Sequence, residues 1–355
     1  MNTRDMLIKM LEIYSPSGEE YEIAKLLRDY MEDLGFPNPV IDEKYNVVSV
    51  TGRNKPSILI CGHEDTVPGF IDVKIDGDLI YGRGAVDAKS SLLALMLGAK
   101  HALDSGFDGR IILAAASGEE SDSKGINYIE SGYDKTDYAI FGEPGGPENI
   151  TAGYKGRILM EIKKHSSSHH ASSSWMEENS IDSLINLWIK IRDKWGSNKD
   201  FNDISAGITK FNGGEYDNMT PENASMFIDI RYPKSVTEND IVSEIKSLAG
   251  DSREYIFKTQ NRTYPYISDL KSNLVSAFKA SIKKNGMVPR LIFKSGSGDM
   301  NTLGHDWGIP VVTYGPGDTK LSHTPDEVIN YREIDKCAEI VRDSLIYLKN
   351  NVFKN

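Results

Sequence analysis

The sequence predicts an α/β protein: a larger domain of α/β/α layers, interrupted by a smaller α+β domain with the βαββαβ order of a ferredoxin-like fold. Three observations predict it. Ile58 to Cys61, Arg110 to Ala116 and Tyr138 to Phe141 are short apolar runs, the signature of parallel strands buried on both faces. Segments with helical spacing of apolar residues separate them. From about Tyr154 the pattern changes to alternating strands and two amphipathic helices, and the first pattern resumes near Leu274.

In chain order, Met6, Leu7, Met10 and Leu11 place a helix over residues 3–14, and a second helix runs from Ser17 to Leu34 with Gly35 as its stop. Val47 to Val50 and Ile58 to Cys61 are strands, and Ile71 to Tyr81 is a hairpin around Asp76-Gly77. Ser90 to Leu103 is an apolar helix for the sheet face. In the inserted domain, Arg157 to Lys163, Ala206 to Phe211 and Ala224 to Tyr232 are strands, and Ile181 to Trp195 and Glu238 to Leu248 are helices. Leu274 to Lys284, Val311 to Tyr314 and Glu333 to Leu348 complete the larger domain as helix, strand and helix. The expected boundaries are 1–155 with 265–355 for the larger domain and 156–264 for the insert. The serine-rich tract 166–174 is expected to be a mobile loop.

At 355 residues the chain suits two domains. A net charge of −11 argues against nucleic acid as a partner. Cys61 and Cys337 are the only cysteines and lie in apolar contexts, which excludes a disulfide framework or a cysteine zinc site. There is no signal-peptide core and no apolar run long enough to span a membrane, so a cytoplasmic protein is expected.

The chemistry gathers where the buried strands end. His63-Glu64-Asp65 follows the first, Ser117-Gly118-Glu119-Glu120 the second and Gly142-Glu143-Pro144 the third. Ligands bind outside the carboxyl ends of strands in open α/β sheets. A polar turn would explain His63 and Asp65 alone. Adjacent acids beyond a buried strand are harder to explain unless a cation or a shared proton neutralises them. Gly82-Arg83-Gly84-Ala85-Val86-Asp87 superficially suggests a dinucleotide loop, but Asp87 stands where glycine is needed; it delivers Asp87 to a helix start instead. With His323 the set holds two imidazoles and several carboxylates. That donor chemistry suits one or two divalent ions of the Zn, Co or Mn kind, in a catalytic rather than a closed structural site.

These pieces, GHEDTVP (62–68), GRGAVDAKSS (82–91), SGEESDSKG (117–125), GEP (142–144), HAS (170–172) and SHTPDE (322–327), together resemble the co-catalytic metallopeptidases and deacylases. That family includes acetylornithine deacetylase, succinyl-diaminopimelate desuccinylase and the carboxypeptidase G type. The resemblance runs over nearly the whole chain. It implies a zinc-peptidase-like catalytic domain with an inserted dimerisation or lid domain, a homodimer, and two divalent ions per chain, Zn2+, Co2+ or Mn2+. One ion would be held by His63, Asp87 and Glu143, the other by Asp87, Glu120 and His323, with Asp87 bridging. Asp65 would orient His63, and Glu119 would be the general base for the attacking water. His170 would act across the dimer on the developing oxyanion, Arg231 would bind a substrate carboxylate, and Asn218, Ser297 and Gly298 would contact substrate. His165 and His169 are expected to be exposed loop histidines.

Within the family, the short chain, SGEESDSKG and SGSGDMN (295–301) most resemble the archaeal-type hydrolases of lysine and arginine biosynthesis. Those cleave the amide joining lysine or ornithine to the C-terminal glutamate of a small acidic amino-group carrier protein. An acetylornithine deacetylase, a succinyl-diaminopimelate desuccinylase, a dipeptidase and a metal-free binding protein on the same fold are the alternatives. An acidic carrier approaching an acidic enzyme needs a local basic patch, for which Lys155, Arg157, Lys163 and Lys164 are candidates.

Overall fold

Four parallel strands form the centre of the larger sheet. Asn54–His63 lies between Gly109–Ala116 and Tyr138–Gly142, and Val311–Thr313 pairs with the far side of Tyr138–Gly142. All four are almost entirely buried, because helices cover both faces of a parallel sheet and leave no side for polar residues. The antiparallel strand Val47–Thr51 flanks Gly109–Ala116 on the other side. The structure is a computed structural model describing residues 2–197, 200–250 and 254–352.

The chain divides into two compact units. One comprises Met1–Gly153, Ser268–Phe293 and Gly298–Asn355; the other comprises Tyr154–Ile267 and Lys294–Ser297. In the first, the helix Lys89–Asp104 has twelve buried residues and packs on Asn54–His63 and on the terminal helix Tyr331–Val352. The hairpin Lys74–Asp76 and Leu79–Tyr81 gains a third strand, Val328–Asn330.

The second unit follows the order Gly156–His165, Ser180–Trp195, Ser205–Gly213, Asn223–Tyr232, Glu238–Ala249, Tyr255–Thr263. Its sheet runs Ser205–Gly213, Asn223–Tyr232, Gly156–His165, Tyr255–Thr263, each neighbour antiparallel. Alternation along Asn223–Tyr232 buries Met226, Ile228, Ile230 and Tyr232 in one apolar cluster with Leu184, Leu187, Ile241 and Ile245 of the helices. Asp229 and Arg231, at the intervening positions, are only partly covered.

The serine-rich tract is a loop tied down by hydrogen bonds. Ser166 and Ser168 donate to the carbonyls of Pro221 and Thr220, the His169 amide donates to Thr220 Oγ1, and Ala171–Ser173 forms a 3-10 turn. Serine hydroxyls satisfy a neighbouring backbone here, which composition alone does not reveal.

The helix Lys89–Asp104 approaches the terminal helix closely at Gly98. A β-carbon there would lie 2.6 Å from Val341 Cβ and 2.9 Å from the Ala338 carbonyl oxygen. Gly98→Ala is therefore predicted to cost ~1–3 kcal/mol by overpacking, although alanine favours a helix by about 1 kcal/mol. The urea midpoint should fall; an unchanged or higher midpoint would refute the close packing.

Candidate metal centre and catalytic site

Parallel register sets the first neighbours. Gly62 is paired with Gly142, so His63 and Glu143 each stand one residue beyond a matched pair on adjacent strands. His63 is also paired with Ala116, three residues before Glu119. Three strand ends thus bring an imidazole and three carboxylates to one edge of the sheet.

Asp87 reaches this edge from the loop before the helix Lys89–Asp104, and its peptide bond to Ala88 is cis. Its Oδ1 lies 3.3 Å from His63 Nε2 and its Oδ2 3.3 Å from His323 Nε2. One carboxylate therefore faces two imidazoles, one through each oxygen. His323 Nε2 also meets Glu120 Oε1 at 2.8 Å. His323 has the left-handed φ of 63°, an uncommon backbone for a non-glycine residue. Among the described residues, Asp87, Glu120 and His323 offer ligand atoms within 4.8 Å of one another, and so do His63, Glu119 and Glu120. Glu143 belongs to neither group. A β-carbon on Gly298 would lie 2.9 Å from Glu119 Oε1, too close, and 3.9 Å from Glu143 Oε1, an ordinary contact.

Asp65 is placed differently from the simple expectation. His63 Nδ1 donates to the backbone carbonyl of Asp65 at 2.9 Å, while the Asp65 carboxylate is 3.6 Å away. That carboxylate accepts the Glu119 and Glu120 amides, each at 3.1 Å, and the Ser17 hydroxyl at 2.6 Å. Asp65 orients His63 through its main chain and anchors the Glu119-Glu120 turn through its side chain.

Two further acids had no role of their own assigned from sequence, Glu327 within SHTPDE and Asp299 within the substrate-contacting loop 295–299. Glu327 is buried; its carboxylate accepts the amides of Gly84, Val86 and Asp87 and pairs with Arg83. It therefore holds the loop that presents Asp87, and its place at the end of SHTPDE was the available signal. Asp299 is 5% exposed, and its Oδ1 has no hydrogen-bond partner among the described residues. Burial pushes its carboxyl up to about 7; His63 opposes that rise and Asp65 adds to it.

The electrostatics describe a site short of positive charge. Burial raises Glu119 well above the usual carboxylate range; His63 opposes this, while Glu143, Asp299 and Glu120 add to it. Burial disfavours a charged His63, yet hydrogen bonds to Asp65 and Asp87 outweigh it and raise the imidazole well above normal. Hydrogen bonds to Asp87 and Glu120 push His323 up to about 10. Burial alone would raise Asp87, but His323 and His63 hold it well below the usual carboxylate range. Glu64, next to His63, is fully buried, and burial pushes its carboxyl well above the usual carboxylate range.

The remaining expected residues lie in the second unit, except Gly298. His170 Nδ1 accepts the Ser172 amide at 3.2 Å, so its neutral ring carries the proton on Nε2. The Asn218 carbonyl accepts the Ala171 amide at 2.8 Å, placing Asn218 beside His170. Arg231 is held by Asp229 and donates to Ser297 Oγ at 3.2 Å. His165 is exposed and hydrogen-bonds Asn223, and His169 lies 3.4 Å from Glu177.

The basic patch is corrected. Lys155 is buried and donates to the carbonyls of Asp200 and Asp203; Lys164 is buried against Glu254. Lys163 pairs with Glu161 and Arg157 with Asp229. Lys155 and Lys164 are thus withdrawn from the surface, while Lys163 and Arg157 stay partly exposed, each in an ion pair.

A parallel α/β sheet with this acid-rich His/Asp/Glu edge, in a chain that also carries a unit of ferredoxin-like order, defines a hydrolase of the metallopeptidase class. Residues 59–346 match the model of peptidase family M20/M25/M40, and the chain belongs to that family. It is 34% identical to the putative LysW-lysine/LysW-ornithine hydrolase of Pyrococcus furiosus, over 98% of this chain and 97% of that one. It is also 34% identical to the LysW-lysine/LysW-ornithine hydrolase of Sulfurisphaera tokodaii, over 93% of this chain and 91% of that one. Its fold matches the Bacillus subtilis YXEP protein, described as a dinuclear metal-binding M20 peptidase, with a TM-score of 0.77, 15% identity and 98% of both chains covered. Among the described residues no helix is long and apolar enough to cross a membrane.

Metal binding needs neutral imidazoles, whereas the metal-free site holds the protons of both more tightly than a free imidazole does. A raised pKa means the proton is held until pH climbs past it, so affinity for a divalent ion should rise with pH. Binding to metal-free protein at pH 7 is predicted to release protons, read by calorimetry in buffers of different ionisation enthalpy. A buffer-independent enthalpy would contradict this.

Proposed function

We propose that this chain is a metal-dependent amidohydrolase of lysine and arginine biosynthesis that cleaves the amide between lysine or ornithine and the C-terminal glutamate of a small acidic amino-group carrier protein. The observation that carries the chemistry is Asp87, with one oxygen toward His63 and the other toward His323. The substrate reading is supported by family membership and by relatives of nearly equal length whose names specify that bond.

The donor set fits two divalent ions. His63, Asp87 and Glu143 would hold one, and Asp87, Glu120 and His323 the other; Zn2+ and Co2+ suit these ligands best, with Mn2+ next. When bound, such ions polarise the scissile carbonyl and acidify the attacking water. Glu119, kept off the metals, takes the water's proton and returns it to the leaving nitrogen. Its backbone amide donates to the Asp65 carboxylate, which fixes the turn that carries it, and the absence of a side chain at Gly298 leaves room for its carboxylate. His170 presents an Nε2–H donor suited to an oxyanion, delivered from the partner subunit of a homodimer built on the second unit. Arg231 binds a substrate carboxylate, with Asn218, Ser297 and Gly298 lining the approach.

Glu119→Gln is predicted to lose on the order of 10²–10⁴ in kcat and to retain both metals. Loss of one metal with the activity would make Glu119 a ligand. Carrier-linked lysine, carrier-linked ornithine, acetylornithine and succinyl-diaminopimelate, assayed side by side, test the substrate. Turnover should be fastest on the carrier-linked forms and abolished by exhaustive chelation. Fast cleavage of acetylornithine with none of the carrier forms would overturn the reading.

A further inference from the structure

The stretch from Met10 to Glu20 lies outside the family match, which begins at residue 59. It nevertheless touches the segments that carry His63, Asp87 and the Glu119-Glu120 pair. Lys89, two residues beyond Asp87 and buried, donates to the carbonyls of Met10 at 2.9 Å and Ile13 at 2.7 Å. Carbonyls at a helix end have no partner within the helix, so this ammonium closes the helix Thr3–Glu12. Ser15 donates to the Glu64 carbonyl at 3.0 Å, and the Thr66 amide donates to the Ser15 carbonyl at 2.9 Å. Ser17 Oγ donates at 2.6 Å to Asp65 Oδ2, the same oxygen that accepts the Glu120 amide.

The last contact in this stretch has no part in the chemistry described so far. Glu20 is fully buried; its Oε1 accepts the Gly18 amide at 2.8 Å and meets Lys124 Nζ at 3.0 Å. A desolvated carboxylate is costly unless it is paired. A cap for the helix Tyr21–Asp33 would explain an acid here, but Glu20 makes no side-chain cap hydrogen bond to that helix. It reaches a lysine 104 positions away instead. Lys124 stands at the base of the turn that carries Glu119 and Glu120. The Ser123 amide donates to the Gly118 carbonyl at 2.7 Å, and the Gly125 amide to the Ser117 carbonyl at 3.0 Å. A β-carbon on Gly125 would lie 2.4 Å from the Ser117 carbonyl oxygen and from Asn46 Oδ1, so that base is close-packed.

We propose that Glu20 is a positioning residue for the Glu119-Glu120 turn, acting through Lys124, with Ser17 acting on the same turn through Asp65. Two grips hold the turn. Asp65 takes the Glu119 and Glu120 amides, and Glu20 takes the lysine at the base. Both are anchored in residues 17–20. Glu120 is then presented to its ion, and Glu119 to its water, without the turn having to be ordered at each binding event. The inference deepens the proposed metal centre and rests on it only for the consequence in metal affinity. The hold on the turn itself needs no metal.

Hydrogen exchange on metal-free protein and zinc titration against a competing chelator test it. Glu20→Gln keeps the shape of the side chain and removes its charge. Exchange of the amides in residues 118–124 should quicken on the order of tenfold or more, the worth of a hydrogen bond to a charged group. Amides of Asn54–His63 should change little. The zinc ion that His323→Ala abolishes should bind roughly 10- to 100-fold more weakly, as when a ligand loses the partner that orients it, while the other ion holds. Lys124→Met should match Glu20→Gln, and the double variant should be no worse than either, because both remove one interaction. Glu22→Gln, which breaks an exposed pair with Lys25 on the same helix, should change neither readout. Where Glu20→Gln does not fold, Ser17→Ala decides by the same two measurements, with smaller changes in the same direction. Unchanged exchange in residues 118–124 of the folded variant, equal quickening across the core strands, or equal weakening of both ions would each overturn the positioning role. Quickened exchange in the turn of a protein whose parent form binds no zinc would defeat the metal reading and leave that role standing.

Discussion

The Asp87 carboxylate is the constraint around which the site is arranged. It lies between two imidazoles that come from distant parts of the chain, one at the end of a core strand and one in a left-handed turn late in the sequence. A desolvated carboxylate is costly unless paired and hydrogen-bonded. Here the two histidines provide the pairing, and Glu327 fixes the backbone that presents Asp87. Glu327 is in turn neutralised by Arg83, which also ties down the Gly69 and Thr324 carbonyls. Position therefore passes outward, from Asp87 to Glu327 to Arg83 to the surrounding loops.

Around that carboxylate the fold gathers more negative charge than its own side chains neutralise. Glu119, Glu120, Glu143 and Asp299 all stand near His63 or its neighbours, and Glu119 and Asp299 are raised chiefly by burial. A stable core would not be built this way, and such local violations of polar pairing mark functional sites. The second unit shows the opposite imbalance at Arg157 and Arg231, where one carboxylate serves two cations.

Much of this was legible in the sequence because parallel strands buried on both faces have a plain signature, and each of them runs out into polar residues. His63, Glu119 and Glu143 could be placed at one sheet edge without coordinates, and the βαββαβ order of the second unit came from alternation alone. The features that stayed hidden depend on contacts between distant segments. The helix Lys124–Gly132 is short, contains two glycines and lacks a side-chain cap, so no start or stop signal marks it in the sequence. The helix Asp299–Trp307 follows a glycine- and serine-rich loop that masks its start. That Asp65 would hold Glu119 and Glu120 by their amides, or that Arg157 would share Asp229 with Arg231, is set by register and by turns that no spacing rule encodes. The supposed basic patch failed for the same reason: Lys155 and Lys164 find buried partners far along the chain.

The central claim is that one carboxylate serves two ions at once. Native mass spectrometry of zinc-loaded Asp87→Ala beside His323→Ala tests it directly. A bridging Asp87 predicts that the first variant retains no tightly bound zinc, while the second retains one ion per chain. An Asp87→Ala protein that still holds one ion as firmly as the His323→Ala protein would contradict the account.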